Sequence, residues 1–450
     1  MKKTFLLLSL LVVFAMLLAA CGGGATEAPA AEEPAAEEPA AEEPAAEEPA
    51  ADEMPYAGET VTVFSACGEE QCIVFQSTFE GFIAETGIDV VVEGSSDFET
   101  LATVRSEAGD PYDILNFPQP GLMADFTREG FLVDLNSFLS DDEVSAAFPD
   151  AYVDSGKVDG TLVGLWHGAD VKSLVWYPKA AFEAAGYTVP ETWDDLLALS
   201  DQIVADGSVP WCIGIESGGA TGWAGTDWIE DIMLRTTSPE NYDKWTTGEL
   251  DFASPEVKAA FEKAGEIWFN EDYVLGGTTG ILTTNFGDSP TPLFDDPPTC
   301  FMHRQASFIP NFFPEDAVLG EDVDYFYLPP IDETYGKPVL GSGNLVSMAK
   351  DTPAGQEVMK FMLTPASVES EVKAGNSLAV MKGVPDDWYP STTAQGFAGI
   401  LANAETFRFD GSDLMPGAVG TGSFWTGVVD YVSGEGLDTV LAAIDASWPE

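Results

Sequence analysis

The chain has 450 residues, with 76 acids against 18 bases and a formal charge of −58, which argues against nucleic acid or an anionic membrane surface as a partner. Apolar residues make up 45% and aromatics 11%, a composition suited to a folded soluble body large enough for two lobes with their own cores. The only histidines are His167 and His303, and neither cysteine pair comes with the histidines or second thiol pair of a zinc site, so no metal or other cofactor is expected.

The first residues read as an export leader. Lys2 and Lys3 precede an apolar run from Phe5 to Ala20, broken only by Ser9 and too short for a comfortable membrane span. Leu18-Ala19-Ala20-Cys21 resembles a bacterial lipoprotein box, which implies that Cys21 is lipidated and that the body sits outside the cytoplasm, anchored to a cell membrane at the cell surface or in a periplasm. Residues 1–21 form this leader, and residues 22–57 a tether: Gly22 to Gly24, four copies of Ala-Ala-Glu-Glu-Pro from Ala30 to Pro49, and a degenerate copy ending at Pro55. The repeats hold no aromatic residue to bury, proline at every fifth position bars a lasting helix, and like charges push the segment open. Setting aside the 11 acids of the tether and the two leader lysines leaves 65 acids against 16 bases, so the body itself is strongly acidic.

In the body, Thr60 to Ala66 alternates and is β-branched, the pattern of a strand. Phe75, Phe79, Phe82 and Ile83 fall at helical spacing, placing a helix over Ser77 to Ala84 that ends at Thr86-Gly87. Ile88 to Glu93 is the next strand, so the three make a β-α-β unit, which favours parallel pairing. Phe98 to Ala108 reads as a helix and Asp113 to Phe117 as a buried third strand. The continuing alternation gives an α/β class. After Val189 the pattern turns more helical: Thr192 caps one helix with acids in its first turn, and Ser254 caps another with Pro255 at its first position. Leu340 to Met348 reads as a strand holding Gly341 and Gly343, and further helices lie in Gly355 to Leu363 and Val428 to Ser447.

With Cys21 set aside for lipid, four cysteines remain, an even number in an oxidising compartment. Cys67 and Cys72 are close enough to close a small loop, which leaves Cys212 for Cys300; reduced, buried thiols are the alternative.

Five stretches, in order, resemble the extracellular solute-binding proteins of bacterial ABC importers, in the carbohydrate-binding branch that includes maltose-binding protein. They are Phe79 to Gly94, Gly109 to Leu135, Ser173 to Ile203, Pro210 to Leu234 and Asp295 to Phe308; the last two look specifically like α-glucoside-binding members. The resemblance implies a type II periplasmic-binding-protein-like fold, with two α/β lobes around a ligand cleft, joined by hinge strands and closing over a bound solute. Lobe 1 is expected over residues 58–168 and 341–384, lobe 2 over 173–336 and 390–450, and the hinge over 169–172, 337–340 and 385–389.

A sugar has hydroxyls that need donors and acceptors, and C–H faces that stack on aromatic rings, so its cleft pairs carboxylates and amides with tryptophan or tyrosine. In lobe 1 the candidates are Glu69 and Glu70, read as lying in a loop held by Cys67–Cys72, and Asn116, Phe117 and Gln119 after the third strand. Near the first crossing Trp166, His167, Asp170 and Lys172 cluster, with Asp170 at the position of a family carboxylate. In lobe 2 the candidates are Glu216, Trp223, Asp227, His303, Arg304 and, opening a helix near the C-terminus, Trp425. The function implied is capture of a carbohydrate, first of all an α-glucoside or other di- or oligosaccharide, by lobe closure and delivery to an ABC importer permease. The protein is expected to be a monomer, a binder and not an enzyme. An exported glycoside hydrolase is the rival, since carboxylates and tryptophans serve both, and a non-transport carbohydrate-binding lipoprotein is a third class.

Overall fold

The computed structural model describes residues 54–375 and 377–449; the leader, Cys21 and nearly all of the tether lie outside them. The first parallel unit forms where the alternating residues call for it. Strand β1 (Thr60–Ser65) pairs in parallel with β2 (Asp89–Gly94) on one side and β3 (Ile114–Phe117) on the other. Between β1 and β2 the single expected helix is two, Glu69–Thr78 and Glu80–Thr86, broken at Phe79 and closed by Gly87 at φ 71°. Glu69 and Glu70 are therefore not in a loop but in the first turn of a helix, where their charge suits the N-terminal end of the dipole.

A small hairpin, β4 (Lys157–Val158) and β5 (Thr161–Leu162), leads into β6 (Leu165–Val171), which is followed at once by β7 (Leu174–Pro178). The remaining strands are β8 (Val209–Trp211), β9 (Cys300–Arg304), β10 (Val323–Tyr327), β11 (Val339–Met348) and β12 (Phe407–Phe409). They assemble into a first sheet ordered β12-β11-β3-β1-β2, with β6 also on β11, and a second ordered β10-β7-β9-β8. Each sheet has its own core. Val61, Phe64, Phe98, Phe117 and Leu345 lie in one, and Trp211, Trp228, Trp268, Phe301 and Leu441 in the other.

Two capped helices belong to the second lobe, the first beside β8 and the second packed on other helices. Thr192 Oγ1 accepts from the Asp195 amide at 3.1 Å and Ser254 Oγ from the Val257 amide at 3.4 Å. Both disulfides are formed, Cys67–Cys72 with 5.3 Å and Cys212–Cys300 with 5.7 Å between Cα atoms. Gly94 is needed beside the first: a Cβ there would stand 2.1 Å from Cys72 Sγ and 2.5 Å from the Cys67 carbonyl oxygen.

The lobes join where β6 of the first sheet hands over to β7 of the second, and where β11, whose strand partners all lie in the first sheet, begins with Leu340 packed in the second core. Lys172 donates its amide to the Leu340 carbonyl at 2.8 Å, and the Leu340 amide donates to Ser173 Oγ at 3.1 Å. The stretch 390–450 does not stay wholly with the second lobe. Phe407 to Phe409 form β12 on the edge of the first sheet, paired with Val339 to Gly341, and Phe409 is buried in the first core. The chain then turns at Asp410, whose amide donates to the Gly341 carbonyl at 2.8 Å, and enters the second core from Met415 onward. Phe407 and Phe409 flank Arg408 in a strand pattern too short to stand out from the surrounding helical segments. Among the described residues no helix is long and apolar enough to cross a membrane.

Candidate functional site

Between the lobes lies a cavity of about 330 Å³. The carboxyl ends of β1 and β3 bring Ser65, Cys67 and Asn116 to it, and Pro118 and Gln119 follow from β3. Ligand sites of open α/β sheets lie outside the carboxyl ends of strands for this reason: the loops there converge while the strands stay rigid. The second lobe contributes Trp223, Phe286, Phe308, Phe312 and Trp425. Trp223 meets Phe286 edge-on at 4.9 Å between centroids, and Phe286 meets Phe312 at 5.1 Å, giving one wall of aromatic surface. Trp223 opens its helix (Trp223–Thr236) from Gly222 at φ 115°, where a Cβ would come within 2.3 Å of the Trp425 carbonyl oxygen; only glycine lets these two tryptophan-bearing segments approach.

Of the residues singled out from the sequence, Asn116, Gln119, His167, Asp170, Lys172, Trp223 and Trp425 line this cavity. The other eight do not, and each has a structural reason. Glu69 and Glu70 are exposed, and their neighbours Gly68 and Gln71 reach the wall instead. Phe117 is fully buried, edge-on to Phe98 and Phe126, because successive strand residues face opposite sides. Trp166 packs on Tyr152 and Phe409 and donates Nε1 to Ser155 Oγ at 2.7 Å. Glu216 accepts from the Gly218 amide at 2.7 Å and Asn285 Nδ2 at 2.8 Å, shaping its own loop. Asp227, His303 and Arg304 are sealed inside the second lobe: His303 Nδ1 lies 2.9 Å from the Cys212 carbonyl, and Arg304 donates to Asp231 at 2.9 Å.

The structure adds wall residues that the sequence reading passed over: Gln71, Phe75, Glu99, Phe286, Phe308, Phe312, Ser342, Asn344, Glu371, Ser377, Asp410 and Asp413. One signal was present. Trp223, Asp227, Glu230 and Asp231 follow a helical face at i, i+4, i+7 and i+8, an acidic stripe that belongs on a buried network when the rest of the helix is apolar.

That network centres on Lys172. Its ammonium donates to Asp227 at 2.8 Å and to Asp410, and Glu230 and Asp413 lie in the same buried cluster. Burial alone would lower the Lys172 pKa, but Asp227 and Asp410 beside it raise it well above its ordinary value. Burial likewise pushes Asp227 up to about 7 and Glu230 and Asp413 well above the carboxylate range, the last two against the charge of Asp410. Asp410 is held the other way, its burial outweighed by Lys172 and by hydrogen bonds from its acidic neighbours. Burial in the cluster thus favours the protonated form of Asp227, Glu230 and Asp413, while Lys172 favours the charged form of Asp410. Across the cavity, burial would depress the His167 imidazole, but the charge and hydrogen bond of Glu371, 2.9 Å from Nε2, together with the Ser367 carbonyl, raise its pKa.

Three buried wall atoms have no hydrogen-bond partner among the described residues: Asn116 Oδ1, Gln119 Oε1 and Trp425 Nε1. Two accept and one donates. Such groups cost about 1–3 kcal/mol each when left dry, so the wall is built for a molecule that brings hydroxyls.

Asp170 supplies a pH test of this wall. Burial raises its carboxyl to about 7, opposed by the hydrogen bond from Ser307 Oγ at 2.9 Å and by Lys172. Between the ordinary carboxyl value and about 7 the folded protein holds a proton that the unfolded chain has released, so the contribution of Asp170 to stability declines as pH rises through that window. His303, lowered by burial to about 4, acts in the opposite sense below neutrality, because the unfolded chain binds a proton the folded one excludes. The Asp170→Asn variant isolates the first group. Its Tm relative to the parent is expected to rise as pH is taken from about 5 to about 8. A Tm difference that stays constant across that range shows that Asp170 titrates normally.

A family model described as bacterial extracellular solute-binding protein matches residues 74–369. The osmoprotective compounds-binding protein GgtB of Synechocystis is 46% identical over 389 residues, covering 86% of this chain and 92% of that protein. The alpha-glucosides-binding periplasmic protein AglE of Rhizobium meliloti is 43% identical over 402 residues, covering 87% of each. Among solved structures, a chitin oligosaccharide binding protein superposes with TM-score 0.74 at 17% identity, over 86% of this chain and 97% of its own. Maltose-bound T. maritima MalE3 gives 0.68 at 17% identity, over 86% and 98%.

Proposed function

The chain belongs to the bacterial extracellular solute-binding proteins, and on that premise we propose that it captures a neutral carbohydrate in the interlobe cavity and delivers it to an ABC importer permease. The observation that carries the carbohydrate reading is the trio of unpartnered wall atoms, Asn116 Oδ1, Gln119 Oε1 and Trp425 Nε1, set beside aromatic faces. Hydroxyls would pair with the first, and C–H faces would stack on the second. The relatives that bind alpha-glucosides and osmoprotective compounds support an α-glucoside or a compatible solute of similar size as first choice. A cavity of about 330 Å³ suits a small ligand. Glu99, Asp170, Glu371, Asp410 and Asp413 on the wall disfavour phosphate esters and sugar acids.

The mechanism has no covalent step. A solute enters between open lobes, pairs the wall atoms and stacks on Trp223 or Trp425, and so favours the closed form that the permease reads. A thermal-shift screen of mono-, di- and oligosaccharides, polyols and glycerol phosphates tests it. An α-glucoside at a hundred times its Kd should stabilise the fold by about 2.7 kcal/mol, with no shift from the phosphates. No shift with any neutral sugar or polyol sinks the reading, and steady turnover of an aryl α-glucoside would replace it with a hydrolase.

The body is held near its importer by lipid on Cys21, with the Ala-Ala-Glu-Glu-Pro repeats as a leash, and works as a monomer; the last residues of the expected tether, 54–57, instead form a turn with Tyr56 packed on the first core. Cys21→Ala should release the protein from the membrane fraction; retention of that variant on membranes would remove the anchor.

A further inference from the structure

A second cavity, an outer groove of about 450 Å³, adjoins the first, and Glu99 and Trp425 line both. Its walls come from opposite lobes: Thr103, Val104 and Asp125 from the first, and Thr421 from the second. Two hydrogen bonds hold these walls together. The Gly219 amide donates to Asp97 Oδ1 at 3.1 Å, and the Gly417 amide donates to Asp125 Oδ2 at 2.8 Å.

The surface of the groove has the chemistry of the inner wall. Thr103 Oγ1 donates to the Glu99 carbonyl at 2.7 Å and Thr421 Oγ1 to the Gly417 carbonyl at 3.0 Å, so both oxygens present lone pairs rather than protons. Val104 is 56% exposed, an apolar face beside those acceptors. Among the described residues no lysine or arginine lines the groove, while Glu99, Asp125 and Glu129 do. A chain of neutral sugar rings offers what such a surface lacks, hydroxyl donors and C–H faces, and an anion does not.

We propose that the outer groove is an extension subsite, which takes the further rings of an oligosaccharide whose first rings fill the inner cavity, with Glu99 and Trp425 at the neck between them. This rests on the carbohydrate reading of the inner cavity. Together the two volumes stay within the range of ordinary ligand pockets.

Calorimetric titration with two homologous series tests it: maltose, maltotriose and maltotetraose, and sucrose, raffinose and stachyose. In at least one series the trisaccharide should bind about tenfold tighter than the disaccharide. Thr103→Trp and Thr421→Trp fill the groove from opposite walls without touching the inner cavity. Each should erase that increment and leave the disaccharide Kd within about twofold. If one variant does not fold, the other reads the same quantity. Disaccharide binding with no gain for either trisaccharide, or a gain that survives a folded groove-filling variant, overturns the subsite and leaves the carbohydrate reading intact. No binding by any member of either series removes both.

Discussion

Lys172→Met is expected to destabilise the protein by about 3–5 kcal/mol, the usual cost of stripping the partner from a buried ion pair. The side chain lines the cavity, yet its ammonium is spoken for by Asp227 at 2.8 Å and by Asp410. All three residues are almost wholly buried. Methionine would fill the same space and leave Asp227, Glu230, Asp410 and Asp413 facing one another, with Arg304 Nη1 3.6 Å from Asp227. Some of the loss returns as those acids take up protons, so the variant should be markedly less stable at pH 8 than at pH 5.5, more so than the parent. The sign follows from linkage: each carboxyl raised further in the folded state stabilises at low pH and ceases to do so as pH climbs through its folded pKa. Asp410→Asn on the same background should recover part of the loss by removing one of the stranded charges. Urea unfolding at the two pH values measures this. A Lys172→Met variant within about 1 kcal/mol of the parent at pH 8 would show that the cluster is not held by this ammonium.

The position of that lysine explains why the effect bears on function. Its amide bonds to Leu340 on β11, Asp227 comes from the helix at Trp223–Thr236, and Asp410 follows β12. The lysine therefore joins the β6–β7 crossing and the turn after β12 to a helix of the second lobe. A ligand touching Lys172 would meet its aliphatic stem more readily than its charge, and the Trp223 ring centroid lies 5.4 Å from Nζ.

How far the sequence could be read depended on how local the signal was. β1, β2 and β3, the capped helices at Thr192 and Ser254, and β11 all follow from periods and caps within a dozen residues. Asn116 and Gln119 were legible too, because strand ends feed the cleft of an α/β sheet. Phe117 was within reach of the same logic, since a neighbour of Asn116 on a strand must face the other way. His167 was not. The pairing of β6 with β11 slips between Asn344 and Leu345, and this bulge at His167 lets Trp166 face the core while His167 and Asp170 both reach the cavity. Glu371, Ser377, Asp410 and Asp413 arrive at the cavity from the far end of the chain through long-range packing, which no local pattern announces. The buried partners of Asp227 and Arg304 were hidden for the converse reason: charged residues are ordinarily exposed, and only the assembled network accounts for these two inside.

Trp425→Ala is expected to weaken carbohydrate binding at least about tenfold, the 1–2 kcal/mol that loss of a stacked face and an indole donor amounts to. The ring is 4% exposed and stands at the neck shared by the two cavities. Its Nε1 has no partner among the described residues, so a ligand oxygen would find a donor already dehydrated. Removing so large a side chain also leaves a void, and a Tm measured without ligand separates that cost from the loss of affinity. Trp425→Phe sharpens the test. It keeps a ring for stacking and removes only the donor, so its Kd should fall between those of the parent and the alanine variant. The Trp425→Ala loss should be larger than that of Trp166→Ala, whose ring packs on Phe409 and Tyr152 away from the cavity and whose removal should lower Tm more than affinity. Calorimetric titration with the best ligand from the screen decides between them. An unchanged Kd in a folded Trp425→Ala variant would take this residue out of the site, and with it the neck that joins the inner cavity to the outer groove.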